Sequence, residues 1–218
     1  GRVLAALPLH PRLAHMLATA PSQLAADLAA LLEARDPLRG TAGRAPSDLG
    51  LRLLALRDPD RTESEAPVRV DRGAIAALRS EGRRLMPRRT ADRDPGSGPD
   101  LSPGAVLSLA YPDRIARRRE GSAPRFLLTG GKGAHLDPAD PLAGAPFLVA
   151  ADLDGDPREA RIRRALPVTE ADLRSLHADR LREERVVDWS RRDRAVIARE
   201  RLMLGAVALE DRPWRGAP

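Results

Sequence analysis

The sequence contains no cysteine, which removes disulfides, zinc ribbons and thiol catalysis from consideration. Aromatic residues make up only 2% of its 218 positions. Its cores must therefore be built from Leu, Ala, Val and Ile, and a base-stacking platform of several rings cannot be assembled. No run of about 18 apolar residues occurs, and the N-terminus lacks the charged-then-apolar pattern of a secretory signal. The expectation is a soluble, cytoplasmic protein with no membrane contact. Lysine is nearly missing as well: of 37 basic residues only Lys132 is not arginine.

What is present is a hydrophobic fraction of 42%, enough for packed cores in most of the chain, and a formal net charge of +6. The excess of arginine travels with much Ala, Gly and Pro, as GC-rich coding alone would produce. Local clusters of charge are therefore more informative than the total.

The first part of the chain has helical periodicity. Pro11 can open a helix whose apolar positions Leu13, Met16 and Leu17 share a face. Ser22 can cap a second, with Leu24, Leu28, Leu31 and Leu32 in one stripe, stopped by Asp36-Pro37. Ser47 can cap a third carrying Leu49, Leu53 and Leu56, closed by Asp58-Pro59. A fourth, starting near Asp71, carries Ile75, Leu78 and Leu85 and ends before Pro87. Such stripes are core faces. Residues 88–102 combine charge with Pro, Gly and Ser without apolar period, as in a linker or exposed loop.

From there the period becomes that of strands, at 125–128, 146–151, 160–168, 185–189, 195–204 and 206–209. Turn signals at Gly130-Gly131, Asp154-Gly155 and Gly205 separate them. One helix interrupts, opened by Thr169 and Asp172 and carrying Leu173 and Leu176 inward. The fold class expected is α+β: a small helical bundle over 1–87, a linker over 88–102, and an OB-like β-barrel with an inserted helix over 103–218.

Few constellations could carry chemistry. Gly130-Gly131-Lys132-Gly133 invites comparison with a phosphate loop, but such a loop needs Ser or Thr after the lysine and must open a helix. A hairpin turn is the better reading. Asp152-Leu153-Asp154-Gly155-Asp156 imitates the start of a calcium loop, yet Pro157 stands where that loop needs Gly and Arg163 where it needs Glu. His10, His15, His135 and His177 are dispersed without metal-site spacing. No metal site, no GxSxG elbow and no catalytic residue can be assigned.

Two basic clusters stand out. Arg83, Arg84, Arg88 and Arg89 follow the fourth helix, and Arg114, Arg117, Arg118 and Arg119 follow Tyr111-Pro112 with only Asp113 between. Guanidinium forks hold phosphate oxygens while staying charged, so these residues, with Lys132, are candidate nucleic-acid contacts. The alternative is a solvated arginine-rich face. A third run, Arg191, Arg192 and Arg194, alternates with Asp188 and Asp193 and suits surface ion pairs.

Two motif sets resemble the DEAH-box helicases of the bacterial HrpB branch. The stretch Gly1-Arg2-Val3-Leu4 through Leu7-Pro8-Leu9-His10-Pro11 to Met16-Leu17 is similar to the segment that enters their helicase-associated helical bundle. Leu109-Ala110-Tyr111-Pro112-Asp113-Arg114-Ile115-Ala116, Phe126-Leu127-Leu128, Gly131-Lys132-Gly133-Ala134, Asp140-Pro141-Leu142 and Val149–Asp154 look like their OB-fold-like region. The segment 40–69 matches no pattern.

The resemblance implies a parent enzyme that hydrolyses ATP, with magnesium, in RecA-like domains absent from this chain. The chain would be truncated at both ends, carry no cofactor of its own and be no enzyme alone. Its partners would be single-stranded RNA or DNA and the RecA-like and winged-helix domains of the same parent. Its expected role is a non-catalytic accessory region that helps enclose single-stranded nucleic acid. The rivals are a module docking onto the RecA core or an activator, with arginines in inter-domain ion pairs, and an independent OB-fold nucleic-acid-binding protein.

Overall fold

The computed structural model describes residues 9–41, 43–86, 101–156, 158–191 and 194–214. Its helices begin where short polar side chains can satisfy free backbone N–H groups. In α1 (Pro11–Thr19) proline occupies the first turn and His10 Nδ1 accepts from the Arg12 N–H. Helix α2 (Gln23–Glu33) is capped by Ser22, whose hydroxyl accepts from the Ala25 N–H at 3.1 Å. Asp48 caps α3 (Leu49–Arg57). Asp58 ends α3 and, with Pro59 behind it, caps α4 (Pro59–Glu65). Asp-Pro is here a pivot between two helices rather than the simple stop expected of it. Asp71 caps α5 (Arg72–Leu85).

Two three-residue strands, β1 (Leu38–Gly40) and β2 (Val68–Val70), pair antiparallel among these helices. Helices α2 and α5 approach closely at Gly82. A Cβ there would lie 2.5 Å from an Asp27 carboxylate oxygen, so a larger residue would displace the Asp27 side chain from its bond with Gln23.

A further helix, α6 (Pro103–Ala110), opens the region expected to form the barrel, where the sequence marked no element. It is buried on nearly every side, so it shows no amphipathic stripe. The strands β3 (Ile115–Arg118), β4 (Arg125–Leu128), β5 (Gly133–His135), β6 (Phe147–Leu153) and β7 (Glu159–Pro167) close into a barrel of order β3-β4-β5-β7-β6. The β5–β7 pair is parallel and the rest antiparallel. The Gly130-Gly131 turn joins β4 to β5 and Asp154-Gly155 joins β6 to β7, the hairpins expected of them.

After β7 come α7 (Glu170–Leu176), capped by Thr169, and a separate antiparallel sheet. That sheet holds β8 (Leu181–Ser190), β9 (Ala195–Leu204) and β10 (Val207–Pro213) in the order β10-β9-β8. The helix interrupting the strands thus stands between barrel and sheet.

Strand alternation explains the apolar run in β6. Leu148 and Ala150 point into the barrel with Ala116, Phe126, Leu128, Ala134, Ile162 and Ala165. Phe147, Val149 and Ala151 point outward into a second core shared with helices α1, α2, α3, α5 and α6. Both faces are dry, as for strands covered on two sides. Each fully buried large apolar side chain contributes about 2 kcal/mol.

Polar contacts fix the seam between helices and barrel. Asp140 accepts from both the Ser47 N–H and its hydroxyl at 2.9 Å, while the Ala165 N–H donates to the Ser47 carbonyl at 3.0 Å. On another side Arg12 clasps Asp113 with both guanidinium arms, and Tyr111 lies between Arg12 and Arg114. Burial raises the Asp113 pKa, but the bond and charge of Arg12 outweigh it and hold the carboxyl below its ordinary range.

Candidate nucleic-acid interface

The structure separates the arginines that the sequence grouped. The Arg114 guanidinium donates to the Ala151 carbonyl at 2.9 Å and lies over the Tyr111 ring. Arg117 donates to the Ala208 carbonyl, tying the barrel to β10, and stands over Phe147. Arg118 donates to the Ala143 carbonyl at 3.0 Å and to Gly121 at 3.3 Å. Arg119 is exposed and makes no side-chain hydrogen bond or ion pair among the described residues. At the end of α5, Arg84 is held by both oxygens of Glu81 and Arg83 is exposed. Arg88 and Arg89 lie outside the described residues. Lys132 is half-buried in the β4–β5 turn, far from α5 in the chain, where its charge helps lower the Asp156 pKa.

A different set of arginines comes together where no run announced it. A cleft of about 820 Å³ opens between the end of α2, the segment around β1, and the β6–β7 hairpin of the barrel. Six arginines line it (Arg35, Arg39, Arg44, Arg52, Arg163 and Arg164) and two aspartates (Asp36 and Asp152), leaving four positive charges unbalanced.

The carboxylates are already engaged at its floor. Arg52, only 2% exposed, donates to both Asp36 oxygens, the shorter bond 2.7 Å, and to the carbonyls of Pro46 and Asp48. Arg164 donates to Asp152 and to the Leu31 carbonyl, both at 3.2 Å, so it also fastens α2 to the barrel.

The rim is different: Arg35, Arg39, Arg44 and Arg163 are exposed, and none makes a side-chain hydrogen bond or ion pair among the described residues. Arg163 exerts only a weak pull on Asp154, whose carboxyl is held down chiefly by the Arg161 N–H.

Local geometry places the rim. The Asp36 carboxylate accepts from the Leu38 N–H at 3.0 Å, turning the chain out of α2 toward Arg39. Gly40 and Gly43 then fold it back. A Cβ on Gly40 would stand 2.6 Å from the Arg44 carbonyl, and Gly43 has φ +123°, a region that suits glycine. Arg39 and Arg44 therefore reach one wall, and Arg163 the other. A sequence signal existed only in hindsight: an arginine density over 35–44 without any apolar period.

The other chemistry considered is absent among the described residues. The Gly130-Gly131 turn holds Gly131 at φ +87° within a hairpin, opens no helix and offers no hydroxyl beside Lys132, so it does not fit a nucleotide and its magnesium. Asp154 and Asp156 accept from backbone N–H groups of their own loop, which lowers both pKa values without a cation. No group of three metal-ligating side chains occurs among the described residues. Sequence spacing missed a buried pair, Ser108 with His177 at 2.9 Å. The Ser108 hydroxyl donates to the Ala105 carbonyl at 2.7 Å, which leaves it to accept from the imidazole N–H. A serine whose proton is committed to a carbonyl is not an activated nucleophile. No helix among the described residues is long and apolar enough to cross a membrane.

No protein-family profile matches the sequence. The chain is 30% identical over 220 aligned residues to the ATP-dependent RNA helicase HrpB of Escherichia coli (strain K12), an alignment covering 98% of this chain and 24% of that protein. The crystal structure of the E. coli DExH-box NTPase HrpB superposes with a TM-score of 0.69 at 30% identity, over the whole of this chain and 24% of the other. A crystal structure of the Escherichia coli DEAH/RHA helicase HrpB shares the fold with a TM-score of 0.66 at 23% identity and the same coverage. The chain thus spans about a quarter of the length of the relatives it matches.

Proposed function

From the premise that this chain is an HrpB-type region of a DEAH-box helicase, we propose that it is the non-catalytic accessory part of an ATP-dependent RNA helicase. It binds single-stranded nucleic acid beside a RecA motor, in the cytoplasm. ATP and magnesium are handled by RecA-like domains, which a winged-helix domain joins to this chain. The OB-like barrel and the helices serve as one platform for the strand.

The observation that carries this reading is the rim of the cleft. Four exposed guanidiniums facing a common opening, none in a side-chain ion pair among the described residues, form a surface of high positive potential, and a phosphate backbone supplies the compensating charge. Titration of the 218-residue chain with labelled single-stranded RNA across a salt series tests it. The expected result is binding at low salt whose log affinity falls steeply with log salt. Absence of binding at low salt would favour the docking reading instead. ATP hydrolysis above that of a mock preparation would sink the non-catalytic assignment.

One observation favours docking as a second reading. Val187, Trp189 and Val196 are 55%, 57% and 65% exposed, and they share a face of the β8–β9 ribbon through the Trp189–Val196 and Val187–Ala198 pairings. Such a face suits contact with another folded domain.

A further inference from the structure

We infer that β8 is a landing edge for an extended segment of a partner polypeptide, which adds antiparallel as a fourth strand and alternates apolar with basic side chains. This rests on the docking reading of the ribbon, specifies the partner's chemistry and stands apart from nucleic-acid binding.

The two edges of the outer sheet differ. On one side β10 is blunted: its pairing with β9 shifts between Ala208 and Glu210, Arg117 of the barrel donates to the Ala208 carbonyl, and Pro213 lacks an N–H. On the other, β8 carries no Gly or Pro and pairs with β9 over all its 10 residues without a shift. Among the described residues no strand lies on its other side. The backbone groups it leaves open can be assigned. The Ala198 carbonyl accepts from the Trp214 N–H at 2.9 Å, on the β10 side, so Val187 and Ala198 form a pair without hydrogen bonds between β8 and β9. The N–H and C=O of Val187 therefore face outward, and by the period of two so do those of Glu183, Arg185 and Trp189. The Trp189 N–H agrees with this phase, since it donates to the Asp188 carboxylate at 2.7 Å.

Side chains along this edge specify the newcomer. On one face Val187 and Trp189 stand exposed beside Val196 and Ala198. On the other, Glu184 and Asp188 bracket Val186, both exposed and neither in an ion pair among the described residues. A strand laid along β8 thus sets apolar residues opposite Val187 and Trp189, and basic residues opposite Glu184 and Asp188. A second copy of this chain fits less well. In a symmetric antiparallel pairing the central residue meets itself. Centred on Val187, that pairing leaves Glu184 opposite Ser190 and Asp188 opposite Val186; centred on Val186, it sets Glu184 against Asp188.

The probe is a fluorescein-labelled peptide of about seven residues, alternating Val and Lys, titrated by anisotropy into the 218-residue chain. The net charge of +6 gives a cationic peptide no general attraction to this protein. The Val/Lys peptide should bind at least about tenfold tighter than a Val/Glu counterpart, and the variant Glu184→Lys with Asp188→Lys should reverse that order. Both replaced side chains are exposed, so a thermal transition matching the parent's certifies the fold of the variant. Methylating the valine amides, which would face β8, should abolish binding, while methylating the lysine amides, which would face away, should leave it within about twofold.

Equal binding of the valine-methylated peptide overturns strand addition and leaves the exposed face as a docking surface. Equal binding of the Val/Lys and Val/Glu peptides overturns the basic character of the partner. A parent chain that is dimeric by light scattering, and monomeric as Val187→Pro, puts a second copy in the partner's place. Absence of binding by every peptide overturns the landing edge outright, whereas the docking reading is judged separately by the RNA salt series.

Discussion

Two sets of arginines in this molecule end in opposite ways. Arg52, Arg114, Arg117, Arg118 and Arg164 point back at carbonyls and carboxylates of their own chain, and in doing so they fasten barrel to sheet and helix to barrel. Arg35, Arg39, Arg44 and Arg163 end in solvent around one opening. The side chains are chemically identical, so what differs is whether the fold supplies an acceptor. An arginine with its donors satisfied inside contributes to cohesion. One left unsatisfied on a concave surface contributes potential, which a ligand can use.

The sharpest way to break this division is to remove an inward arginine. Arg52→Met should lose about 3 kcal/mol of stability, because Asp36 and the Pro46 and Asp48 carbonyls lose their partner near the cleft floor. Chemical denaturation would register it as a lower midpoint, and an unchanged midpoint would put Arg52 in the outward class. Arg118→Ala should cost less, about 1.5 kcal/mol for its bonds to Ala143 and Gly121, while the salt dependence of RNA binding stays as before. A flattened salt slope in that variant would show that Arg118 serves both purposes.

Acid tests the same interior without touching an arginine. His177 is buried against Ser108, and that burial, aided by nearby Arg180 and opposed by Asp179, lowers its pKa from the ordinary imidazole value. Since the folded state holds it neutral, its contribution is complete above the ordinary value of about 6.5 and is lost as pH falls below it. The loss should be seen as a falling thermal midpoint, attenuated in His177→Gln. Equal pH dependence in the two proteins would contradict it. The smallest stability effect belongs to the outward set: Arg163→Ala should stay within about 0.5 kcal/mol of the parent, as for an exposed side chain with no hydrogen bond or ion pair among the described residues. A larger loss would mean that the rim is held by contacts of its own.

The parts of the fold legible in the sequence are those where one physical signal dominates. Ser22, Asp71 and Thr169 cap helices through their side-chain oxygens, and the stripes of α1 and α5 survive because one face of each is wet. Helix α6 was hidden because burial on all sides erases periodicity, and β3 because its Ile115 and Ala116 face two different cores. The cleft was hidden for another reason. A run such as 114–119 catches the eye, yet neighbouring residues of a strand point opposite ways and several of its arginines find carbonyls. The rim arginines are brought together by a glycine turn and by a hairpin more than a hundred residues further on, a convergence that only the tertiary fold creates.

The outward faces of β3 and β6 carry one more consequence. Ile115, Phe147 and Val149 are sealed by helices that precede the barrel in the chain. A barrel expressed without those helices would display a greasy flank, and one expected fate is clumping in the tube. Silence from such a deletion in a binding assay would report on solubility, not on recognition. Point changes at the rim are the cleaner scalpel, since they remove charge and leave the joint between the two halves intact.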